Sequence, residues 1–198
     1  MIIHNQNIKL DGLSYNLKDY IKLYNDFLEP NFCKKVVKKL NKIPWSKHSY
    51  NDHITNKNTQ YENDLHISSD EISEKTIIEQ KISFALKDYL SYININWFGA
   101  LQDFSPIRWN RYDVRTEMRK HCDHIQTLFD GVNKGVPILT ILGSLNNNYE
   151  GGQLFILNDE PLDLKEGGLV IFPSNFLFPH GVKPVTKGIR YSYVSWSW

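Results

Sequence analysis

The spacing of apolar positions changes about halfway along this 198-residue chain. The first half shows helical spacing twice. In "EPNFCKKVVKKLN", Phe32, Val36, Val37 and Leu40 recur every three or four residues. Pro30 or Asn31 can open that run, and its lysines take the opposite, solvated face. In "SEKTIIEQKISFALKDYLSYI", Ile78, Ile82, Ala85 or Leu86, and Tyr89 form a longer stripe, with Ser73 as its N-cap. The spacing predicts helices near 31–41 and 74–92. Ahead of them, "DYIKLYNDFL" alternates loosely and supplies a strand around Ile21 to Leu23, while the polar "SKHSYNDHITNKNTQYEND" lacks a period and reads as loop. From Phe98 onward the runs are short, apolar or alternating, and broken by Gly, Pro and Asn. "PIRWNRYDV", "PILTILGSL", "GGQLFIL", "GGLVIFP" and "IRYSYVSWSW" all read as strands. Short strands after helices predict an α+β, mostly β domain: an antiparallel sandwich or jelly roll with the helices packed on one sheet.

The length suits one domain, 1–198, with a strand-and-helix support region (1–97) and a jelly-roll core (98–198). Basic residues number 23 and acidic residues 22, so bulk charge favours neither nucleic acid nor an anionic membrane as partner. Cys33 and Cys122 lie far apart, which predicts no disulfide framework and a reducing compartment, the cytoplasm. If the abundance of Asn, Ile and Lys marks an AT-rich viral genome, that compartment is the host cytoplasm. No signal peptide is expected from "MIIHNQNIKLDG", and no run approaches the roughly 18 apolar residues of a membrane span. Nothing in the pattern specifies an oligomeric state.

The candidate chemistry begins at "HCDHI". On a strand, His121 and Asp123 share one face, and Cys122 and His124 share the other. An imidazole with a carboxylate suits Fe(II) or Mn. Cys122 with His124 would be zinc-like but lacks further thiolates. A His-x-Asp pair alone is weak, since chance supplies roughly half of one in this composition. A third ligand is needed, and of the remaining histidines only His180 lies in the strand-rich half, at "FPHGV". Ten residues later comes Arg190, in a chain with five arginines. A guanidinium among apolar strands requires an anionic partner, and its fork pairs bidentately with a carboxylate. A dicarboxylate chelating a metal at one end and meeting Arg190 at the other is the arrangement expected for 2-oxoglutarate.

With these residues in place the chain resembles the Fe(II)- and 2-oxoglutarate-dependent dioxygenases, in the prolyl 4-hydroxylase-like branch. The resemblance covers roughly Ile107 to Trp198. "YDVRTEMRKHCD" is similar to the family's tyrosine segment leading into His-x-Asp. "LTILGSLNNNYEGGQLFI" resembles its strand, acidic turn and Gly-Gly strand. "LKEGGLVIFPSNFLFPHGVKPVTKG" resembles the strand before the distal histidine, and "RYSYVSW" the Arg or Lys strand with a Trp beyond it. "YIKLYNDFLEPNFC" is a weaker match to the first strand and helix of the branch. The chain departs from the family at Arg115, Met118 and Ser144, which touch the cosubstrate wall and substrate entrance.

The resemblance implies a double-stranded β-helix with N-terminal supporting helices. It implies His121, Asp123 and His180 as iron ligands and Arg190 for the distal carboxylate of 2-oxoglutarate. Tyr112, Thr140, Ser144 and Trp196 would line the cosubstrate pocket. The implied cofactors are Fe(II), 2-oxoglutarate and O2, with ascorbate as reductant. The implied reaction hydroxylates an unactivated C–H, most often of a peptidyl proline, with succinate and CO2 as coproducts. Other readings are hydroxylation of a free amino acid or other small molecule, or a non-catalytic jelly-roll binding module. Nucleic-acid demethylation is disfavoured because only Arg190 follows His180. Two polar segments, 46–64 and 126–135, are expected to act as lids. Of the clustered arginines, Arg111, Arg115 and Arg119 would share a face with His121 on a continuous strand and Arg108 would face away. They either favour a peptide or protein substrate with acidic flanks or pair with surface acids such as Asp113 and Glu117.

Overall fold

The computed structural model describes residues 14, 16–52, 57–94, 103–123 and 137–198. Helix α1 (Pro30–Leu40) has its proline in the first turn, where a missing N–H costs nothing, and buries Cys33, Val36 and Leu40. Helix α2 (Ser73–Ile93) buries Ile78, Ile82, Ala85, Leu86 and Tyr89, and ends where Asn94 turns left-handed at φ 47°. Ser73 is the first helical residue rather than the cap. Its hydroxyl instead accepts from Lys39 Nζ at 2.6 Å and lies 3.1 Å from the Glu74 carboxylate, inside the contact between the helices. Lys35 and Lys39 of α1 both reach Glu74, at 3.0 and 2.8 Å.

The strands are β1 (Lys22–Tyr24), β2 (Ser46–Lys47), β3 (Tyr50–Asp52), β4 (Lys57–Thr59), β5 (His66–Ser68), β6 (Arg108–Tyr112), β7 (Met118–His121), β8 (Leu139–Ser144), β9 (Glu150–Gly151), β10 (Leu154–Ile156), β11 (Glu160–Pro161), β12 (Leu169–Pro173), β13 (His180–Val182), β14 (Val185–Lys187) and β15 (Arg190–Ser197). A seven-stranded sheet runs β1-β12-β8-β15-β6-β5-β2, and a four-stranded sheet runs β11-β10-β13-β7. Their pairings are antiparallel throughout. This is the expected jelly roll. The support region is more than a buttress, because β1, β2 and β5 extend the larger sheet at its two edges. The polar 46–64 stretch is not plain loop either: it holds β2 and the β3–β4 hairpin.

Strand alternation sorts the side chains into two cores. On β8, Leu139 and Ile141 face outward, and on β15 Tyr191 and Tyr193 do the same. Together with Trp109 and Ile171 they meet Cys33, Val36, Ile78 and Ile82 of the helices. The other face of the same sheet, with Tyr112, Val170 and Phe172, packs against Met118, Leu154, Ile156 and Val182 of the smaller sheet. That inner space holds most of the buried polar side chains described next.

Candidate metal centre and the cavity beside it

His121 closes β7 and His180 opens β13, and the two are direct partners in the antiparallel register. Their rings lie side by side with centroids 4.5 Å apart. Gly181, one residue on, permits this approach: a Cβ there would fall 2.6 Å from the Met118 carbonyl and 2.5 Å from the Phe155 ring. Asp123, two residues beyond β7, folds back beneath both rings. Its Oδ1 is 3.2 Å from His121 Nε2 and its Oδ2 is 3.4 Å from His180 Nε2.

Each imidazole is oriented by its own backbone. His121 Nδ1 lies 2.8 Å from the Arg119 carbonyl, and His180 Nδ1 lies 3.1 Å from the Phe178 carbonyl. A carbonyl can only accept, so both Nδ1 atoms carry a proton, and Nε2 is the atom each ring turns toward the carboxylate and would offer to a metal once deprotonated. Phe172 packs against the edge of His180 with centroids 4.9 Å apart. Thr140 Oγ1 donates to Asp123 Oδ2 at 2.9 Å, so the 2.8 Å contact between Thr140 and Ser174 must be a donation from Ser174. Burial pushes the Asp123 carboxyl up, but the His180 and His121 rings outweigh it and hold it well below the usual range. Burial lowers the His121 imidazole, and Asp123 more than reverses that. Two nitrogens and a carboxylate oxygen therefore converge, all within 4.8 Å of one another. That donor set, with one side open, suits a divalent ion of the Fe(II) or Mn type.

The inner face of the larger sheet supplies the surroundings. The register sets Tyr112 opposite Arg190, Asn110 and Ser144 opposite Ser192, and Thr140 opposite Trp196. Arg190 is 3% exposed, and its Nη1 donates to Ser192 Oγ at 2.9 Å. Its Cζ lies 4.9 Å from the centre of the Tyr112 ring. Its Nε is buried without a hydrogen-bond partner, and among the described residues no carboxylate pairs with it. Gly152, at φ +64°, makes room for it, since a Cβ there would lie 3.2 Å from Arg190 Cδ. A buried guanidinium with a vacant N–H matches a ligand carboxylate.

A small cavity of about 30 Å³ lies beside the three donors, with walls that include Arg108, Tyr112, Met118 and Trp196. Arg190 stands behind Tyr112 and borders a second cavity of about 280 Å³, and Leu154 borders both. A ligand reaching from the donors to Arg190 would run along Tyr112. Thr140 and Ser144 do not line the first cavity: Thr140 is committed to Asp123, and Ser144 Oγ turns 3.4 Å from the Asn146 carbonyl. Trp196 does line it, and its buried Nε1 has no partner.

The expected arginine face does not form. A turn between β6 and β7, with Arg115 at φ 71°, carries the chain from one sheet to the other and resets the alternation. Arg111 points away from the cavity and pairs with Asp113 at 2.8 Å. Arg119 stacks on Tyr61 and Tyr50, 3.6 and 4.5 Å from the ring centres. Arg108, expected to face away, lines the cavity and lies over Trp196 at 5.0 Å. Asp113, named among the surface acids that could pair with these arginines, also reaches His66 at 3.2 Å. Cys122 is half-buried. His4, His53, His124 and the proposed lid 126–135 lie outside the described residues.

A model of the 2OG-Fe(II) oxygenase superfamily matches residues 107–198. A PKHD-type hydroxylase of Methylobacterium nodulans is 31% identical over 98 residues, which is 46% of this chain and 42% of the relative. One from Synechococcus sp. (strain JA-2-3B'a(2-13)) is 42% identical over 60 residues, 29% of this chain and 26% of the relative. The chain thus spans less than half the length of these relatives. Among solved structures, a Trichoplax adhaerens prolyl hydroxylase in complex with a hypoxia inducible factor peptide fragment superposes with a TM-score of 0.67. It is 20% identical and covers 91% of this chain and 84% of its own. The viral collagen prolyl hydroxylase of Paramecium Bursaria Chlorella virus-1, in its 2OG complex, gives 0.64 at 18% identity, covering 90% and 95%. These likenesses establish the fold.

Proposed function

We propose, from the match of residues 107–198 to the 2OG-Fe(II) oxygenase superfamily, that the chain hydroxylates an unactivated C–H of a peptide. A prolyl residue is the favoured target. The observation that carries this reading is the convergence of His121, Asp123 and His180 beside a cavity walled by Tyr112, whose ring lies against Arg190, a buried cation with a vacant N–H.

Bound Fe(II) with 2-oxoglutarate would supply the chemistry: activation of O2, with 2-oxoglutarate leaving as succinate and CO2. The protein's residues do the rest. His121 and His180 hold the metal through Nε2, because the Arg119 and Phe178 carbonyls fix the proton on Nδ1. Asp123 holds it through its carboxylate, steadied by Thr140. Arg190 takes the distal carboxylate of 2-oxoglutarate in a charge-assisted pair, with Ser192 keeping its fork in place. Tyr112 flanks the same ligand, and the free N–H of Trp196 donates to what is bound near the metal. Phe172, Leu142 and Val194 keep the surroundings apolar and water scarce.

The hydroxylase reading is supported by the PKHD-type hydroxylases, and the peptide preference by the peptide-bound prolyl hydroxylase among the similar structures. Ascorbate is the proposed reductant that keeps the iron in its ferrous state. The test is iron-dependent succinate release coupled to a peptide mass gain of one oxygen atom. Tight binding of a peptide without succinate release, in the presence of Fe(II), 2-oxoglutarate and ascorbate, would identify a binding module instead.

A further inference from the structure

Arg108 opens β6, and its inward side chain shares the cavity with the three metal donors. Its Cζ rests over the Trp196 ring at 5.0 Å, which fixes the plane of the guanidinium. Its Nε donates to Asn110 Oδ1 at 3.2 Å. Among the described residues the guanidinium makes no other hydrogen bond, and no carboxylate lies within ion-pairing distance of it. The side chain is partly, not wholly, buried, so the fork remains reachable from the cavity. Burial works against its charge, and the nearby Asp123 is the main opposing influence.

The strand register locates this arginine relative to Arg190. Arg108 stands opposite Val194, and Arg190 stands opposite Tyr112, four residues further along β6. At about 3.3 Å per residue the two guanidinium-bearing positions are roughly 13 Å apart on one inner face. Trp196 is opposite Thr140, which bonds Asp123, so Arg108 sits at the metal end and Arg190 at the far end. A cosubstrate stretched from the metal to Arg190 would commit one carboxylate to the metal and the other to Arg190, leaving the Arg108 fork without an anion of its own. Once a metal takes up the charge of Asp123, Arg108 also loses its nearest compensation. A partly desolvated cation in that position is costly unless a ligand supplies the countercharge.

We propose that Arg108 is a specificity residue that binds a carboxylate of the hydroxylated substrate, close to the reacting carbon. Its fork and its stacking on Trp196 suit a planar carboxylate. This deepens the function proposed above and rests on it for the existence of a substrate. The carboxylate could belong to an acidic side chain next to the target residue or to the α-carboxylate of an amino acid.

The experiment measures binding as well as turnover. Fluorescein-labelled peptide pools with a central proline, flanked by Asp and Glu in one pool and by Asn and Gln in the other, are titrated by anisotropy against protein loaded with Mn(II) and 2-oxoglutarate. Free proline and prolinamide are added as competitors. The wild type should bind the acidic pool at least about tenfold more tightly, or be competed by proline and not prolinamide. The first result assigns the carboxylate to a side chain, the second to an α-carboxylate. Arg108→Gln should abolish either preference, and Arg108→Lys should restore part of it. 2-Oxoglutarate affinity, read by tryptophan fluorescence, should stay within about twofold in both variants. Absence of any preference in the wild type overturns the proposal. So does a loss of 2-oxoglutarate affinity in Arg108→Gln, which would make Arg108 a cosubstrate residue. Failure of the oxygenase reading shows separately, as wild-type protein that binds no 2-oxoglutarate in the presence of Mn(II).

Discussion

Single side chains here are defined by what their second polar atom does. His121 and His180 are usable ligands because Nδ1 is spent on a backbone carbonyl, and Asp123 is held at one oxygen by Thr140. Replacing any of the three proposed ligands with Ala should abolish tight metal binding. Thr140→Val, which keeps the shape and removes the donor, should weaken Fe(II) or Mn(II) affinity by roughly 10- to 100-fold in a calorimetric titration. Unchanged affinity would reduce Thr140 to a packing residue. Arg190→Ala should raise the KM for 2-oxoglutarate by about 10- to 100-fold, the equivalent of losing a charge-assisted pair of roughly 1.5–3 kcal/mol. Metal binding should persist, since Arg190 touches none of the donors. An unaltered KM removes this role. The His-x-Asp spacing and the family resemblance singled these residues out, although Asp123 lies two residues beyond β7, where period-two alternation no longer dictates direction. The direction of Arg108 was not legible, because the turn at Arg115 restarts the alternation between two sheets, and alternation cannot be counted across a turn of unknown shape.

At the scale of elements, the β3–β4 hairpin shows what a hydrophobic pattern misses. Its polar sequence offers no apolar stripe, so it reads as loop. It is docked instead by Arg119 of β7, whose guanidinium contacts both the Tyr61 and Tyr50 rings, and by the Tyr50 hydroxyl, 3.2 Å from Met118 Sδ. Since Met118 lines the cavity, this hairpin is tied to the wall of the site. Two cation–π contacts at half-exposed positions are worth about 1–2 kcal/mol together. Arg119→Ala should therefore speed amide exchange across Lys57–Thr59 by roughly 5- to 30-fold while leaving β8 and β15 protected. Equal exchange in the variant would mean that backbone pairing alone holds the hairpin. By contrast, α1 and α2 were readable because each buries a stripe of helical period, and the five strands expected from 98 onward because each is a short β-branched or aromatic run bounded by turn residues and buried on both faces. β1 was legible in the loose alternation around Ile21 to Leu23, whereas β2 and β5, at two and three residues, are too short to show a period at all.

For the whole molecule, the inner space between the sheets concentrates charge, and His48 registers it. This histidine is 7% exposed, its edge meets Tyr50 with centroids 4.6 Å apart, and its Nδ1 has no partner. Burial first, then Arg108, His121 and Arg119, lower its pKa to about 4, with Asp123 opposing. The usual value near 6.5 applies in the unfolded chain. The sign follows: folding favours the neutral ring, so its contribution is complete above about 6.5 and is lost as the pH falls from there towards 4. His121, whose pKa is raised, acts in the opposite direction in metal-free protein, and Glu74, held near 2 against burial by Lys39 and Lys35, contributes a loss only below about 4.5. Comparing variants removes these shared contributions. Metal-free wild type should lose roughly 2–3 kcal/mol more than His48→Phe between pH ~7.5 and ~4.5 by urea unfolding. Phe keeps the edge contact with Tyr50 and cannot take a proton, so the difference isolates titration from packing. Parallel pH profiles for the two proteins would show that water or a shift of Arg119 accommodates the charged ring, and that the inner space is less sealed than its burial suggests.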